Sequence, residues 1–557
     1  MSTRRVTILF ISFLIWAAVI WLRFFYWQVI LGDSLAQAET RQGVQVSSQV
    51  SPRGEIYAQD LAPLALNEKR FDIYLWRPTL NLPEKDLLDR LEDKLGGLAT
   101  ASARLEKNDQ SWVLIKKNLT KQQADEIENL GIEGLFLQED TARFYPEASS
   151  SAHLLGFLGR DAAGQPKGYF GLEGYYDRQM QGQVRLVKER QGWWNKIQDV
   201  FTAKTEEKGR DLVLFLDRAV QFSVEEELKK GIEKYGAVSG WVVVIDPYSG
   251  GVLGMTSYPS YDPAAYFDFN QELFPNSVVA SHFEPGSIFK PLVVAAALEE
   301  GVIKVEDHCP ICSGPVQVTD YQIATWNDKY YPESTPSEII EHSDNVGMVW
   351  IGQSLGEEGL TNYLNKLNLG KKTGIDLEEE AAIALKEGRE WYPIDVATAS
   401  FGQGIALTPI QMITAFSPLA NGGYWVKPRV VKEVKEEEKT IPTQSASFPI
   451  FSQETVDAVK KMLIMAVEAG EAKWTKLPNY TIAGKTGTAQ IPVRGHYDQE
   501  KTIASFIGFV PVDRPKFLML VSLQEPKSSP WGSETAAPLW FAIAQRLINY
   551  WGISPDD

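Results

Sequence analysis

Glu284-Pro285-Gly286-Ser287-Ile288-Phe289-Lys290-Pro291 joins a Pro-Gly turn to the apolar run Leu292-Val293-Val294-Ala295-Ala296-Ala297-Leu298. A turn followed by an unbroken apolar run predicts a buried helix that begins near the serine. Ser287 and Lys290 are three residues apart, so a helix sets them on one face. A serine hydroxyl is a weak nucleophile until a neighbouring base takes its proton. A lysine amine becomes such a base in an apolar setting, because burial disfavours its charged form. The plainer reading makes Ser287 a helix cap and Lys290 a solvated cation. About one or two S-x-x-K matches arise by chance in a chain this long. The rest of the sequence has to decide.

Two further motifs follow in order. Ser343-Asp344-Asn345 comes just after the helical stretch Ser337–His342, and Lys485-Thr486-Gly487-Thr488 lies inside the strand-like run Tyr480–Gln490. A second K-T-G, Lys372-Thr373-Gly374, competes for the third place. It continues into the acidic Ile375-Asp376-Leu377-Glu378-Glu379-Glu380, and Gly370 upstream marks a loop after a helix. A strand edge with small neighbours lets a substrate backbone approach, which favours Lys485.

The surrounding chain has the organisation of an α+β protein. Asp211-Leu212-Val213-Leu214-Phe215-Leu216 reads as a strand leading into a helix around 219–234. Ser239–Asp246 and Val252–Thr256, joined by Pro-Tyr-Ser-Gly-Gly, read as a hairpin of buried strands. Helical segments run to about 420, then an acidic-basic run 432–439 and a Pro/Ser connector. A helix at 453–469 precedes strands from Thr481, and a last helix occupies 536–551. Strands at both ends with helices between them imply one sheet closed by distant segments. Before residue 210, a short helix is expected at about 32–45 and strands at 44–50 and 71–76, with Pro52–Tyr57 turning the chain into a second short strand between them. Helices follow between about 84 and 131, with Trp112–Ile115 as a strand between them and Thr120 as a cap. A Gly/aromatic region spans 143–177, and the polar segment 192–209 carries Trp193 and Trp194 on a linker or surface helix.

The 557 residues are 44% hydrophobic and 23% charged, enough for two to four ordinary domains. A formal charge of −17 argues against nucleic-acid binding. The 16 Trp, 21 Tyr and 25 Phe suit grooves that hold extended ligands. Cys309 and Cys312 are the two cysteines. Their C-x-x-C spacing fits a local disulfide or two free thiols better than a zinc site, for which His153, His282, His342 and His496 are too scattered. Arg4 and Arg5 precede the uncharged run Val6–Leu22, which reaches the length of a spanning helix and continues after Arg23 as Phe24–Leu31. The alternative is a signal peptide cleaved at Ala36-Gln37-Ala38, but Ala38 lies well past the end of the run. An uncleaved anchor is the reading adopted. The two arginines then set the N-terminus in the cytoplasm and everything after the anchor outside.

The ordered set S-x-x-K, S-D-N and K-T-G occurs in class A β-lactamases and penicillin-binding proteins. The chain resembles a class B penicillin-binding protein, a peptidoglycan D,D-transpeptidase, almost from end to end. Arg53-Gly54 with Ile56 and Leu64-Ala65, Arg143-Phe144-Tyr145-Pro146, His153-Leu154-Leu155-Gly156 and Gly171-Leu172-Glu173 are similar to motifs of the family's pedestal domain. Ser400-Phe401-Gly402-Gln403-Gly404 with Thr408-Pro409-Ile410-Gln411 resembles a structural signature between the second and third catalytic motifs. One departure is Tyr57-Ala58-Gln59-Asp60, where the family has an Asp-Arg-Asn-Gly turn.

The resemblance implies an anchor at 1–31, an elongated mixed pedestal (dimerisation-type) domain at 32–210 and a transpeptidase domain at 211–557 with an antiparallel sheet, flanking helices and a helical subdomain. Ser287 would attack the carbonyl between two D-alanines of a stem peptide, Lys290 would be its base, and Ser343 would relay the proton. Lys485 would hold the network poised, and Asn345 would hold the acyl chain's amide. Thr486 and Thr488, with Gly487 between them, would bind the terminal carboxylate of substrate or β-lactam. The backbone N–H groups of Ser287 and Thr488 would form the oxyanion hole. No cofactor or metal is implied.

The partners implied are stem peptides, β-lactams, membrane lipid through the N-terminal helix, a SEDS-family glycosyltransferase, and divisome or elongasome proteins. A β-lactamase is the nearest rival. Glu358 and Asn362 have a tempting spacing for its water-activating loop but follow Asn345 too closely. A penicillin sensor would need a cytoplasmic output domain, and few residues precede the anchor. A scaffold role sits poorly with the complete Ser287/Lys290/Ser343/Lys485 set. The bifunctional class A type would need a glycosyltransferase domain ahead of the transpeptidase. Asn345-Val346-Gly347-Met348 and Gly374-Ile375-Asp376-Leu377 look more like the division or spore-septum type than the elongation type.

Overall fold

Strand Ser239–Ile245 is apolar at successive positions because both of its faces are covered. Val242 and Val244 enter one core, with Val224, Leu228, Phe506 and Trp540. Trp241, Val243 and Ile245 enter the other, with Phe289, Leu292 and Ile507. Side chains alternate across a strand, so two buried faces leave no place for a polar residue. This computed structural model describes residues 3–31, 44–98, 105, 111–147, 149–182, 184–190, 208–386, 390–436, 439–475, 477–493 and 496–556.

The strand is second from one edge of a five-stranded antiparallel sheet of order Val252–Tyr258, Ser239–Ile245, Phe517–Gln524, His496–Val510 and Ala483–Val493. Helices Arg218–Tyr235 and Ala536–Trp551 cover the Val242 face. The helical block covers the other: Lys290–Glu299, Pro336–His342, Asn345–Lys366, Pro393–Ser400, Pro409–Asn421 and Gln453–Glu468. Capping boxes start two of these helices, Thr335 with Glu338 and Thr408 with Gln411. The edge strand Ala483–Val493 lies against the turn that carries Ser287. Gly487 is small for that reason: a Cβ there would sit 2.9 Å from Ile288 Cγ2.

A second sheet of seven strands holds Lys439–Pro442, Val431–Glu436, Asp211–Leu214, Ile56–Tyr57, Pro63–Trp76, Trp112–Leu119 and Leu135–Phe144. It draws strands from both sides of residue 210, and Asp211–Leu214 pairs in parallel with Ile56–Tyr57. By contacts the chain divides into 1–53 with 181–209, and 54–180 with 210–557. In the first unit Val44–Val50 pairs antiparallel with Val184–Arg190.

Within the second unit, carboxylates of the acidic run after Lys372 bind backbone amides. Asp376 accepts from Val430 N at 2.6 Å, Val431 N at 2.9 Å and the Tyr176 hydroxyl at 3.0 Å. Glu378 accepts from Phe170 N at 2.6 Å, and Glu379 from Gly171 N at 2.9 Å and Asn276 N at 3.2 Å. The run therefore ties the 170–176 segment to Val430, to Val431 of the seven-stranded sheet and to Asn276.

Most expected elements are present, including the Thr120 cap, which is a full capping box with Gln123. The run 432–439 differs from expectation. Val431–Glu436 and Lys439–Pro442 form an antiparallel hairpin at the edge of the seven-stranded sheet. Its partly buried Lys-Glu pair separates Val431 from Val434, which concealed these two buried valines. Cys309 and Cys312 are joined by a disulfide, which resolves the pair left open by spacing alone. The N-terminal helix continues without a break from Thr3–Phe25 into a π-helical turn, Tyr26–Ile30, so the second apolar run extends the first. The helix expected at about 32–45 falls mainly on residues outside the described ones, as do most of 192–209 and the Ala36-Gln37-Ala38 site.

Candidate active site

Gly286 has φ +56°, a left-handed conformation that glycine adopts without strain, and its N–H donates to the Gly402 carbonyl at 3.0 Å. That turn passes into a single 3-10 turn, Gly286–Phe289, and then into the helix Lys290–Glu299. Ser287 is half-buried, and Ile288, Phe289 and Lys290 are buried. The serine faces the cleft while the lysine lies beneath it.

Lys290 Nζ donates to the Ser343 carbonyl at 2.6 Å, to Asn345 Oδ1 at 2.8 Å and to Ser343 Oγ at 3.3 Å. Ser343 terminates Pro336–His342 in the left-handed conformation, φ +56°. Asp344 then caps Asn345–Lys366, its Oδ1 accepting from Val346 N at 2.7 Å. The S-D-N motif is thus a helix stop and a helix start, and the reversal between them points Ser343 and Asn345 at one amine. Burial pushes the Lys290 amine down to about 7, and the Lys485 charge pushes the same way, against Glu471 and Asp344. Lys485 is also fully buried and lowered by burial, with Glu471 opposing.

Lys485 Nζ donates to Thr486 Oγ1 at 3.2 Å, and Thr486 Oγ1 donates to Glu471 Oε2 at 2.6 Å. Thr488 Oγ1 accepts from Gly532 N at 2.9 Å. The cleft is lined by Gly286, Ser287, Ser343, Asn345, Phe401, Gln403, Glu471, Thr488 and the facing rings of Trp326 and Trp531. Those two rings are 5.0 Å apart between centroids.

The structure therefore brings together residues separated by as much as 201 positions: Ser287, Ser343, Asn345 and Thr488 at the cleft, with Lys290 and Lys485 buried at its base. Gly487 packs against Ile288 between the two motifs. Asn345 has a further role that the sequence did not indicate, as an acceptor for Lys290. Lys372-Thr373-Gly374 is elsewhere, with Thr373 Oγ1 donating to Glu380 at 2.6 Å. Glu358 and Asn362 are solvent-exposed on Asn345–Lys366. Glu471, Trp326 and Trp531 had no signal in the sequence beyond the general wealth of aromatics, because each sits in an irregular segment. Phe401 and Gln403 were visible only as part of a structural signature, yet both line the cleft. A larger groove of about 960 Å3 is lined by Asp60, Glu147, Asp217 and Glu225 among others.

A serine on a helix start, a buried lysine one turn on, and a second serine bonded to that lysine define an active-serine acyl transferase. Residues 240–548 match the family described as penicillin binding protein transpeptidase domain, and 48–214 match the penicillin-binding protein dimerisation domain. The chain is 31% identical to stage V sporulation protein D of Bacillus subtilis over 95% of this chain and 83% of that one. It is 27% identical to peptidoglycan D,D-transpeptidase FtsI of Escherichia coli over 95% and 89% respectively. The fold is similar to penicillin binding protein 2X of Streptococcus thermophilus, with TM-score 0.75 and 21% identity over 92% of this chain and 80% of that one. It is also similar to penicillin binding protein 3 of Mycobacterium tuberculosis solved with aztreonam, with TM-score 0.71 and 23% identity over 92% and 98%. The chain belongs to the penicillin-binding protein transpeptidases, with a dimerisation domain ahead of the transpeptidase domain, the class B arrangement. Its apolar helix, with a 24-residue span from Thr7 to Ile30, is long enough to anchor it in a membrane.

Proposed function

We propose that the protein crosslinks peptidoglycan by acyl transfer through Ser287, and that β-lactams inhibit it by acylating the same atom. The observation that carries the reading is the buried Lys290 amine, held by Ser343 and Asn345 one helical turn from Ser287. Neutral Lys290 takes the Ser287 proton as Oγ attacks the carbonyl carbon between two D-alanines. The C–N bond breaks, and the terminal D-alanine leaves as an amine with a proton relayed through Ser343. An amine of a second stem peptide then attacks the ester, a new amide forms, and Ser287 regains its proton.

Lys485 supplies a positive field for the developing oxyanion, which the Ser287 and Thr488 N–H groups receive. Thr486, Gly487 and Thr488 line the place of the donor's terminal carboxylate. The domain scheme is an anchor at 1–31, a pedestal at 32–210 and a catalytic domain at 211–557. The anchor crosses the membrane once, with the cytoplasmic end marked by Arg4 and Arg5. A SEDS-family polymerase and septal assembly proteins are the partners that fit, and the division-type resemblance at 345–348 and 374–377 favours a septal role over elongation. Midcell labelling of a fluorescent fusion supports that role, and uniform lateral labelling contradicts it.

The reaction is tested by incubating the full chain in detergent with a pentapeptide donor and an amine acceptor. Crosslinked product with one D-alanine released per crosslink is expected, and none from Ser287→Ala. Release of D-alanine with water as the only acceptor would favour the hydrolytic relative instead.

A further inference from the structure

Glu471 is a charged cleft residue to which the acyl-transfer steps give no task. It follows the helix Gln453–Glu468, is half-buried, and lines the cleft with Ser287 and Thr488. Its Oε2 accepts the Thr486 hydroxyl proton at 2.6 Å. A hydroxyl has one proton, so while this bond stands Thr486 cannot donate to a substrate carboxylate. A second carboxylate arriving beside the first is also repelled by it.

We propose that Glu471 is a specificity-determining residue: a resident carboxylate that occupies the carboxylate-recognition position at Thr486 and must be displaced by an anionic donor. The inference rests on the acyl-transfer reading above. Donors that end in a free carboxylate then bind more weakly than the Lys485, Thr486 and Thr488 set alone would hold them, and donors with a neutral end are discriminated against less. Thr488, oriented through its Oγ1 by Gly532 N–H, remains the second donor at the site. The charged groups that share this environment are Lys485, Lys290 and, coupled to Lys290, Asp344. Glu471 favours the protonated form of both lysines, so it also holds Lys290 further from its basic form.

The test uses Glu471→Gln, Glu471→Ala and Glu471→Asp in the full-length protein. Two thioester donors share one acyl chain, one ending in a carboxylate and the other in a carboxamide. For the carboxylate donor, KM should fall about tenfold in Glu471→Ala, the change carried by one charged hydrogen bond. Glu471→Gln should give a smaller fall, and KM for the carboxamide donor should be unchanged. The pH midpoint of acylation should move down in Glu471→Gln and Glu471→Ala and stay in place in Glu471→Asp. Glu471→Gln is nearly isosteric, and an unchanged Tm verifies its fold. Equal changes for both donors, no change, or weaker binding of the carboxylate donor each overturn the proposal. Wild-type protein that accepts neither donor overturns the acyl-transfer reading itself, a distinct result.

Discussion

Lys290 is proposed as the base because its surroundings disfavour its cationic form. Its side chain is fully buried, and burial together with the Lys485 charge brings its amine down to about 7. The base is the deprotonated form, so acylation of Ser287 should rise as pH increases through about 7 and then level off. A stopped-flow acylation profile checks this, and a midpoint near the ordinary lysine range contradicts it. Lys290→Arg keeps a charge that does not deprotonate and should slow acylation by about 10²–10⁴-fold, measured on protein shown to be folded by circular dichroism. At this scale the sequence was most legible where chemistry forces a spacing. S-x-x-K, S-D-N and K-T-G could be read because each is short and locally fixed. Glu471, Trp326 and Trp531 could not, since their positions in the cleft come from irregular chain segments with no periodicity to mark them.

The elements that deliver these side chains are ordinary, and their caps explain why they were readable. Thr120, Thr335 and Thr408 each begin a helix with the reciprocal Glu or Gln partner three residues on. The hairpin 431–442 was hidden because Val431–Glu436 buries only Val431 and Val434, three residues apart across a register shift, so no strand alternation shows. The strand edge at Gly487 has a sharper requirement. An added Cβ meets Ile288 at 2.9 Å, so Gly487→Ala should push the strand from the Ser287 turn and cut acylation at least tenfold with a Tm loss of a few degrees. Unchanged acylation kinetics in the variant would show that the strand and turn need not touch. The acidic run after Lys372 belongs to this scale too. Asp376 accepts from two strand amides and from Tyr176, so Asp376→Ala should cost about 3 kcal/mol in urea unfolding. At low urea, acylation by the folded fraction should be retained. The second K-T-G is thus part of a structural tie, a role its sequence showed only as excess acid.

The whole molecule is a membrane-helix-bearing enzyme whose central sheet is assembled from strands more than 200 residues apart, Ser239–Ile245 and Phe517–Gln524. The α+β class was legible because the strands at both ends are apolar on both faces. The second sheet was less legible, since its strands come from both sides of the composition change near 210 and pair by tertiary contact. The N-terminal helix predicts that the full chain stays with membranes after alkaline washing and that removal of residues 3–30 releases it; solubility of the intact chain would argue against an anchor. Motif order gave the family and the cleft, and distance along the chain gave no warning of which turns would close it. The central claim is that Ser287 is the nucleophile, and intact-mass analysis after incubation with labelled penicillin tests it most directly. The account predicts one adduct per chain, mapped to the peptide bearing Ser287 and absent from Ser287→Ala. An adduct that persists in Ser287→Ala, or a folded wild-type protein that takes up no label, would contradict it.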